Sequence, residues 1–186
     1  KAVLYCALLV SVMLCIGCST TTSGSGDPDA RRAALNSGAD AALSNLYRQV
    51  NGSEQLVRNA RGVLVFPSVV GAGLVFGASS GEGVLRKGGR TVSFHRTTSG
   101  SWGLQAGAQS TAVFLLFMTD DALARFESSE GWAVGADATV TLVSVGANAQ
   151  VSTDTAQQPV IGFVLSNRGL MAGITLSGTR ITRMNP

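Results

Sequence analysis

Glycine is the residue that most limits what this chain can become. There are 23 glycines in 186 residues, about 12% against a usual ~7%. They fall among β-branched and aromatic residues, as in Gly71-Ala72-Gly73-Leu74-Val75-Phe76-Gly77 and Gly81-Glu82-Gly83-Val84-Leu85. At near-alternate strand positions, glycine lets the backbone bend sharply or lets another segment lie close above it. The expectation is a coiled, barrel-like sheet. Charged residues make up only 13% of the chain, about half the usual share. With so much glycine, that excludes a long coiled coil and an acidic disordered tail. A length of 186 residues is one domain, or one domain and a tail.

Cysteine is confined to the start. Cys6, Cys15 and Cys18 all precede residue 19, and the remainder holds one histidine, His95, and no cysteine. A disulfide framework and a Cys/His zinc site are thereby excluded for the body, and neither metal nor cofactor is expected. Residues 2–17 form an apolar run after Lys1, short of the ~20 residues of a membrane-spanning helix but suited to the core of a secretory signal. The run ends in Cys15-Ile16-Gly17-Cys18, followed by a Ser/Thr/Gly string. This resembles a bacterial lipoprotein signal, with Cys15 where leucine is usual. A plain secretory signal and an uncleaved anchor are the alternatives. The resemblance implies a signal peptide over 1–17, acylation such as palmitate at Cys18, a flexible tether over 18–27 and a single domain over 28–186. Acyl chains contribute roughly 0.8 kcal/mol per buried CH₂, and Ser19 after the cysteine implies an outer-membrane address in the bacterial cell envelope.

Asp27-Pro28-Asp29 is a helix start, with Asp27 able to cap and Pro28 suited to the first helical position. Leu35, Ala39, Ala42, Leu46 and Val50 make one helical stripe, which Asn51-Gly52 ends. Ser53 is expected to cap a second short helix through Ala60. From Gly62 the pattern is β. Lys87-Gly88-Gly89-Arg90 reads as a hairpin turn, and Thr111 to Met118 reads as a strand covered on both faces. Thr119-Asp120-Asp121 caps a helix through Phe126. Further strands are expected over 133–145, 160–165 and 170–176, with a loop over 146–158 and a turn at Arg168-Gly169.

Catalytic motifs are offered and mostly withdrawn. Gly77-Ala78-Ser79-Ser80-Gly81 satisfies the nucleophile-elbow pattern, which needs a helix after its serine. Strand-like sequence follows, so the segment is expected to be a turn, and the chain is expected not to be an enzyme. Asp120, Asp121, Glu127, Glu130 and Asp137 have no recognised metal-ligand spacing. A formal charge of +3 without arginine-rich runs does not suit nucleic acid. Arg86, Lys87, Arg90 and Arg96, with His95, concentrate positive charge in eleven residues without an intervening acid. Beside a membrane, each basic residue is worth about 1 kcal/mol toward anionic lipid. The alternative is a solvated hairpin edge whose charges discourage strand pairing.

Taken together, Ala60-Arg61-Gly62-Val63-Leu64-Val65-Phe66-Pro67, the glycine-rich blocks at 71–77 and 81–85, Gly103-Leu104-Gln105-Ala106-Gly107, Trp132 to Ala138 and Gly169 to Gly173 resemble the SYLF domain family. The resemblance spans about residues 30–183. It implies a non-catalytic phospholipid-binding module. Some eukaryotic relatives also bind actin, a partner with no obvious use on a bacterial surface. The expectation is therefore an α+β domain with N-terminal helices packed on a curved, mostly antiparallel sheet, tethered to and binding a phospholipid membrane. Arg86, Lys87, Arg90 and Arg96 are its candidate headgroup contacts. The rival is an interaction lipoprotein that docks another envelope protein through its sheet. A membrane-spanning barrel is disfavoured because Val113 to Met118 does not alternate.

Overall fold

The computed structural model describes residues 27–73, 76–102, 109–143, 157–166, 169–171 and 176–186. The candidate signal, Cys18 and its tether through Gly26 lie outside the described residues, as do residues 74–75, 103–108, 144–156, 167–168 and 172–175. Helix α1 is Pro28–Gln49. Asp27 caps it as expected, its carboxylate accepting the Asp29 N–H at 3.1 Å. The predicted stripe is the buried one: Ala39, Ala42, Leu46 and Val50 are buried with Leu43 beside them, and Leu35 packs against the same cluster. Helix α2, Ser53–Asn59, begins one residue differently from the expectation. Gly52 takes the capping position at φ +82°, and Ser53 is already helical. Its buried hydroxyl donates to the Val50 carbonyl at 2.7 Å, so it ties the corner between the helices.

Nine strands follow among the described residues: β1 Gly62–Gly73, β2 Phe76–Lys87, β3 Arg90–Trp102, β4 Gln109–Phe117, β5 Gly131–Ala133, β6 Thr141–Leu142, β7 Val160–Ser166, β8 Gly169–Leu170 and β9 Arg180–Met184. Helix α3, Asp120–Ser128, lies between β4 and β5, capped by Thr119, whose hydroxyl accepts the Ala122 N–H at 3.2 Å. The sheet order is β5-β9-β3-β2-β1-β4-β7-β6, with β8 also on β7. Among the described strands, only the β6–β7 ladder is parallel. The expected α+β architecture with N-terminal helices on a curved antiparallel sheet is the one observed.

Pro67 lies within β1, where the register shifts between Val65 and Ser68 against both neighbours, and a bulge is where a sheet tolerates proline. Two expectations about the strands are corrected. The Gly77 to Gly81 segment is not a turn. It is the first half of β2, paired to β1 on one side and β3 on the other. Two glycines of β2 serve close approach instead. A Cβ on Gly83 would lie 2.2 Å from the Val65 carbonyl oxygen, and one on Gly81 would lie 2.7 Å from that of Ser68. The predicted 133–145 strand is broken into β5 and β6 by a turn in which Gly135 adopts φ +93°. Gly88 and Gly89 at φ +54° and +79° make the expected two-residue turn of the β2–β3 hairpin.

Chain reach explains the curl. In a flat sheet of this order, β5 and β6 would stand about 34 Å apart at ~4.8 Å per strand. The chain from Ala133 to Thr141 can span at most about 28 Å, and it contains a tight turn. The sheet therefore rolls into a half-barrel. Both of its faces are buried in the centre. Val63, Val65, Val84, Phe114, Leu116 and Phe163 meet α1 and α2 on the outer face. Leu64, Phe66, Leu85, Leu115 and Phe117 meet α3 and Trp132 within the curl. The alternation along β4 is the covered-on-both-faces strand that its apolar run predicts.

Candidate functional site

The basic hairpin is straddled by two helices. Arg86 has only 12% of its side chain exposed, and its guanidinium lies 2.6 Å from Asp40 of α1 and donates to the Asn36 carbonyl at 3.0 Å. Thr91 donates to the Asn36 side chain at 2.5 Å. Arg86 is thus a strap between the hairpin and α1. Lys87 turns to the other face, where its ammonium sits 3.0 and 2.9 Å from the two carboxylate oxygens of Glu127 in α3. Arg96 donates to Glu82 at 2.8 Å, and Arg31 from the first turn of α1 bonds the same carboxylate through two nitrogens. Burial alone would raise the Glu82 pKa, but hydrogen bonds from Arg96 and Arg31, with their charges, hold it below its ordinary value.

Arg90 differs from the other three. It is exposed, and it makes no ion pair among the described residues. Beside it the β2–β3 register steps from Leu85↔Ser93 to Arg86↔Thr91, which leaves Val92 as the extra residue of a bulge. Val92 is 46% exposed, one of two large hydrophobic residues exposed among the described residues. The hairpin end therefore presents a cation next to an apolar side chain.

His95 does not add to this charge at neutral pH. It is buried inside the curl, its Nε2 2.8 Å from the Ser93 hydroxyl and its ring 4.9 Å from that of Phe126. Burial lowers its pKa to about 4, helped by the charge of Arg183 and opposed by Glu127. Ser79 meets the Ser99 hydroxyl at 2.6 Å, while the histidine is engaged by Ser93. The acidic stretch is dispersed: Asp120 pairs with Arg61 at 3.4 Å, Glu127 holds Lys87, and Asp137 accepts the Ala133 N–H at 2.6 Å. No group of three potential ligands for a metal ion occurs among the described residues, and no helix among them is long and apolar enough to cross a membrane.

Sequence reasoning missed the acids that meet the hairpin cations, because Asp40 and Glu127 come from α1 and α3, and Glu82, on β2, meets Arg96 only through the β2–β3 register. It also missed β9, whose Arg180-Ile181-Thr182 alternation was the available signal.

What the fold and this surface define is a curled-sheet α+β module with helices on both sides of a basic hairpin. Residues 98–185, from the end of β3 through β9, match the family model of Ysc84, described as Las17-binding protein actin regulator. The SYLF resemblance is borne out over these residues. None of the curated proteins matches the chain.

Proposed function

We propose that this chain is a non-catalytic lipoprotein of a bacterial envelope, anchored through Cys18, whose domain binds anionic phospholipid. The observation that carries the reading is the hairpin end, where Arg90, with no ion pair among the described residues, stands beside the bulged Val92. A guanidinium with an adjacent apolar side chain suits an interface that is anionic at the headgroups and apolar beneath them. The family match supports a binding module. The Ysc84 description names a protein partner and actin regulation for that family, which favours the rival reading of a protein-docking lipoprotein. Sedimentation of the Cys18→Ser chain with phosphatidylglycerol vesicles tests the first reading. Binding at low salt that falls as salt rises is expected, and absence of binding with capture of a protein partner would favour the rival. Loss of a lipid mass increment in Cys18→Ser tests the anchor.

A further inference from the structure

Strand β9 brings a second set of cations to the outer face of the sheet. In its ladder with β3, Arg96 pairs with Thr182 and Thr98 with Arg180. Residues two apart share a face of a strand, so Arg96, Thr98, Arg180 and Thr182 all project to one side. Arg96 and Arg180 are diagonal neighbours, about 7–8 Å apart. Glu82 is opposite Arg96 on β2 and receives Arg31 as well, which adds a third guanidinium to the same side.

The charges do not cancel. Arg31 and Arg96 share the one Glu82 carboxylate and are 46% and 49% exposed. Arg180 is exposed, lies over Gly131, and makes no ion pair among the described residues. Ala133, the register partner of Arg180, donates its N–H to the Asp137 carboxylate, and no ion pair between Asp137 and Arg180 occurs among the described residues. Thr98 and Thr182 share this face with the two arginines and add neutral hydroxyl donors to it. Position adds a further argument. Arg31 is one turn from the α1 cap, Asp27, so the chain that would carry the anchor enters the domain beside this patch. The hairpin end lies further along β2 in the opposite direction.

We infer that Arg31, Arg96 and Arg180 form an anionic-phospholipid contact surface on the outer face of β2, β3 and β9, next to the entry of the tether. The inference rests on the phospholipid reading above and gives it a second surface, on the anchor side of the domain. Its ligand is the phosphate diester of headgroups in a membrane, met by planar guanidiniums that pair with phosphate oxygens.

Arg180 is the position to test, because its replacement breaks no ion pair among the described residues. The full chain with Cys18→Ser is sedimented with vesicles of phosphatidylglycerol and phosphatidylcholine. Arg180→Glu is expected to lower the partition coefficient about tenfold, and Arg180→Lys to keep it within about twofold. Arg125→Glu, with the same charge change on α3 inside the curl, is expected to bind like the parent. Circular dichroism melts establish that each variant is folded. If the parent binds and folded Arg180→Glu binds equally well, the surface is wrong while the phospholipid reading stands. If the parent does not bind, that reading itself fails. Displacement by glycerol phosphate beyond that by chloride at equal ionic strength would make a soluble anion the ligand and overturn the membrane assignment.

Discussion

Trp132 and Phe117 stand edge to face with ring centroids 6.0 Å apart, although β5 and β4 are separated in the sheet by β9, β3, β2 and β1. Phe126 of α3 completes the cluster, 5.5 Å from Trp132 and 4.8 Å from Phe117. The contact spans the curl, so it reports on closure of the half-barrel rather than on one ladder. Trp132→Ala is expected to cost about 3–5 kcal/mol, the range for a fully buried large aromatic. Urea unfolding measures it, and a loss below about 1 kcal/mol would mean that the curl does not depend on this cluster.

His95 makes stability fall in mild acid. Its folded pKa of about 4 lies below the unfolded value of ~6.5. The unfolded chain therefore takes up the proton first. The contribution is complete above about pH 6.5 and is lost as pH falls toward 4, with an upper size of about 3 kcal/mol. His95 is the chain's one histidine, so its imidazole resonances titrate without overlap. A midpoint near 6.5 would contradict the burial, and Arg183→Ala is expected to move the midpoint upward.

Asp40 holds Arg86, which is nearly enclosed between the hairpin and α1. Removing the carboxylate leaves a poorly hydrated guanidinium with only the Asn36 carbonyl. Because Asp40 itself is largely exposed, Asp40→Ala is expected to cost about 1–2 kcal/mol rather than the larger penalty of a fully buried pair. Thermal melts at low and high salt check this, and a neutral substitution would show that the strap is dispensable.

Gly83 lies under the β1 bulge with no room for a methyl group. Gly83→Ala must push the Val65 carbonyl and the Phe66 ring aside, at an expected cost of about 2–3 kcal/mol. Gly88→Ala has open space but a left-handed backbone, so about 1 kcal/mol is expected there. Reversal of that order in denaturant titrations would contradict the close-approach account.

Local signals carried over well. The Asp27-Pro28-Asp29 start of α1, the Thr119 cap of α3 and the Gly88-Gly89 turn depend on residues within a few positions of one another, and each stands where its chemistry predicts. The apolar run of β4 likewise declared burial on both faces. What the sequence hid depends on distant partners. Nothing local to Pro67 announces the bulge that holds it within β1 against β2 and β4. Gly77 to Gly81 reads as a turn because the carbonyls that crowd Gly81 and Gly83 come from β1. The hairpin cations read as one patch, whereas Asp40 and Glu127, far off in the chain, tie Arg86 and Lys87 to helices, Glu82 on β2 takes Arg96, and Arg90 is left apart. Arg180 joins Arg96 only through the β3–β9 ladder.

The most direct test of the account is the salt dependence of vesicle binding by the Cys18→Ser chain. Phosphatidylglycerol vesicles at low salt are predicted to sediment the protein, raised salt to release it as charges are screened, and pure phosphatidylcholine to leave it in solution. Equal binding to both lipids, or none to either, would contradict the central claim that this is a domain for anionic membrane surfaces.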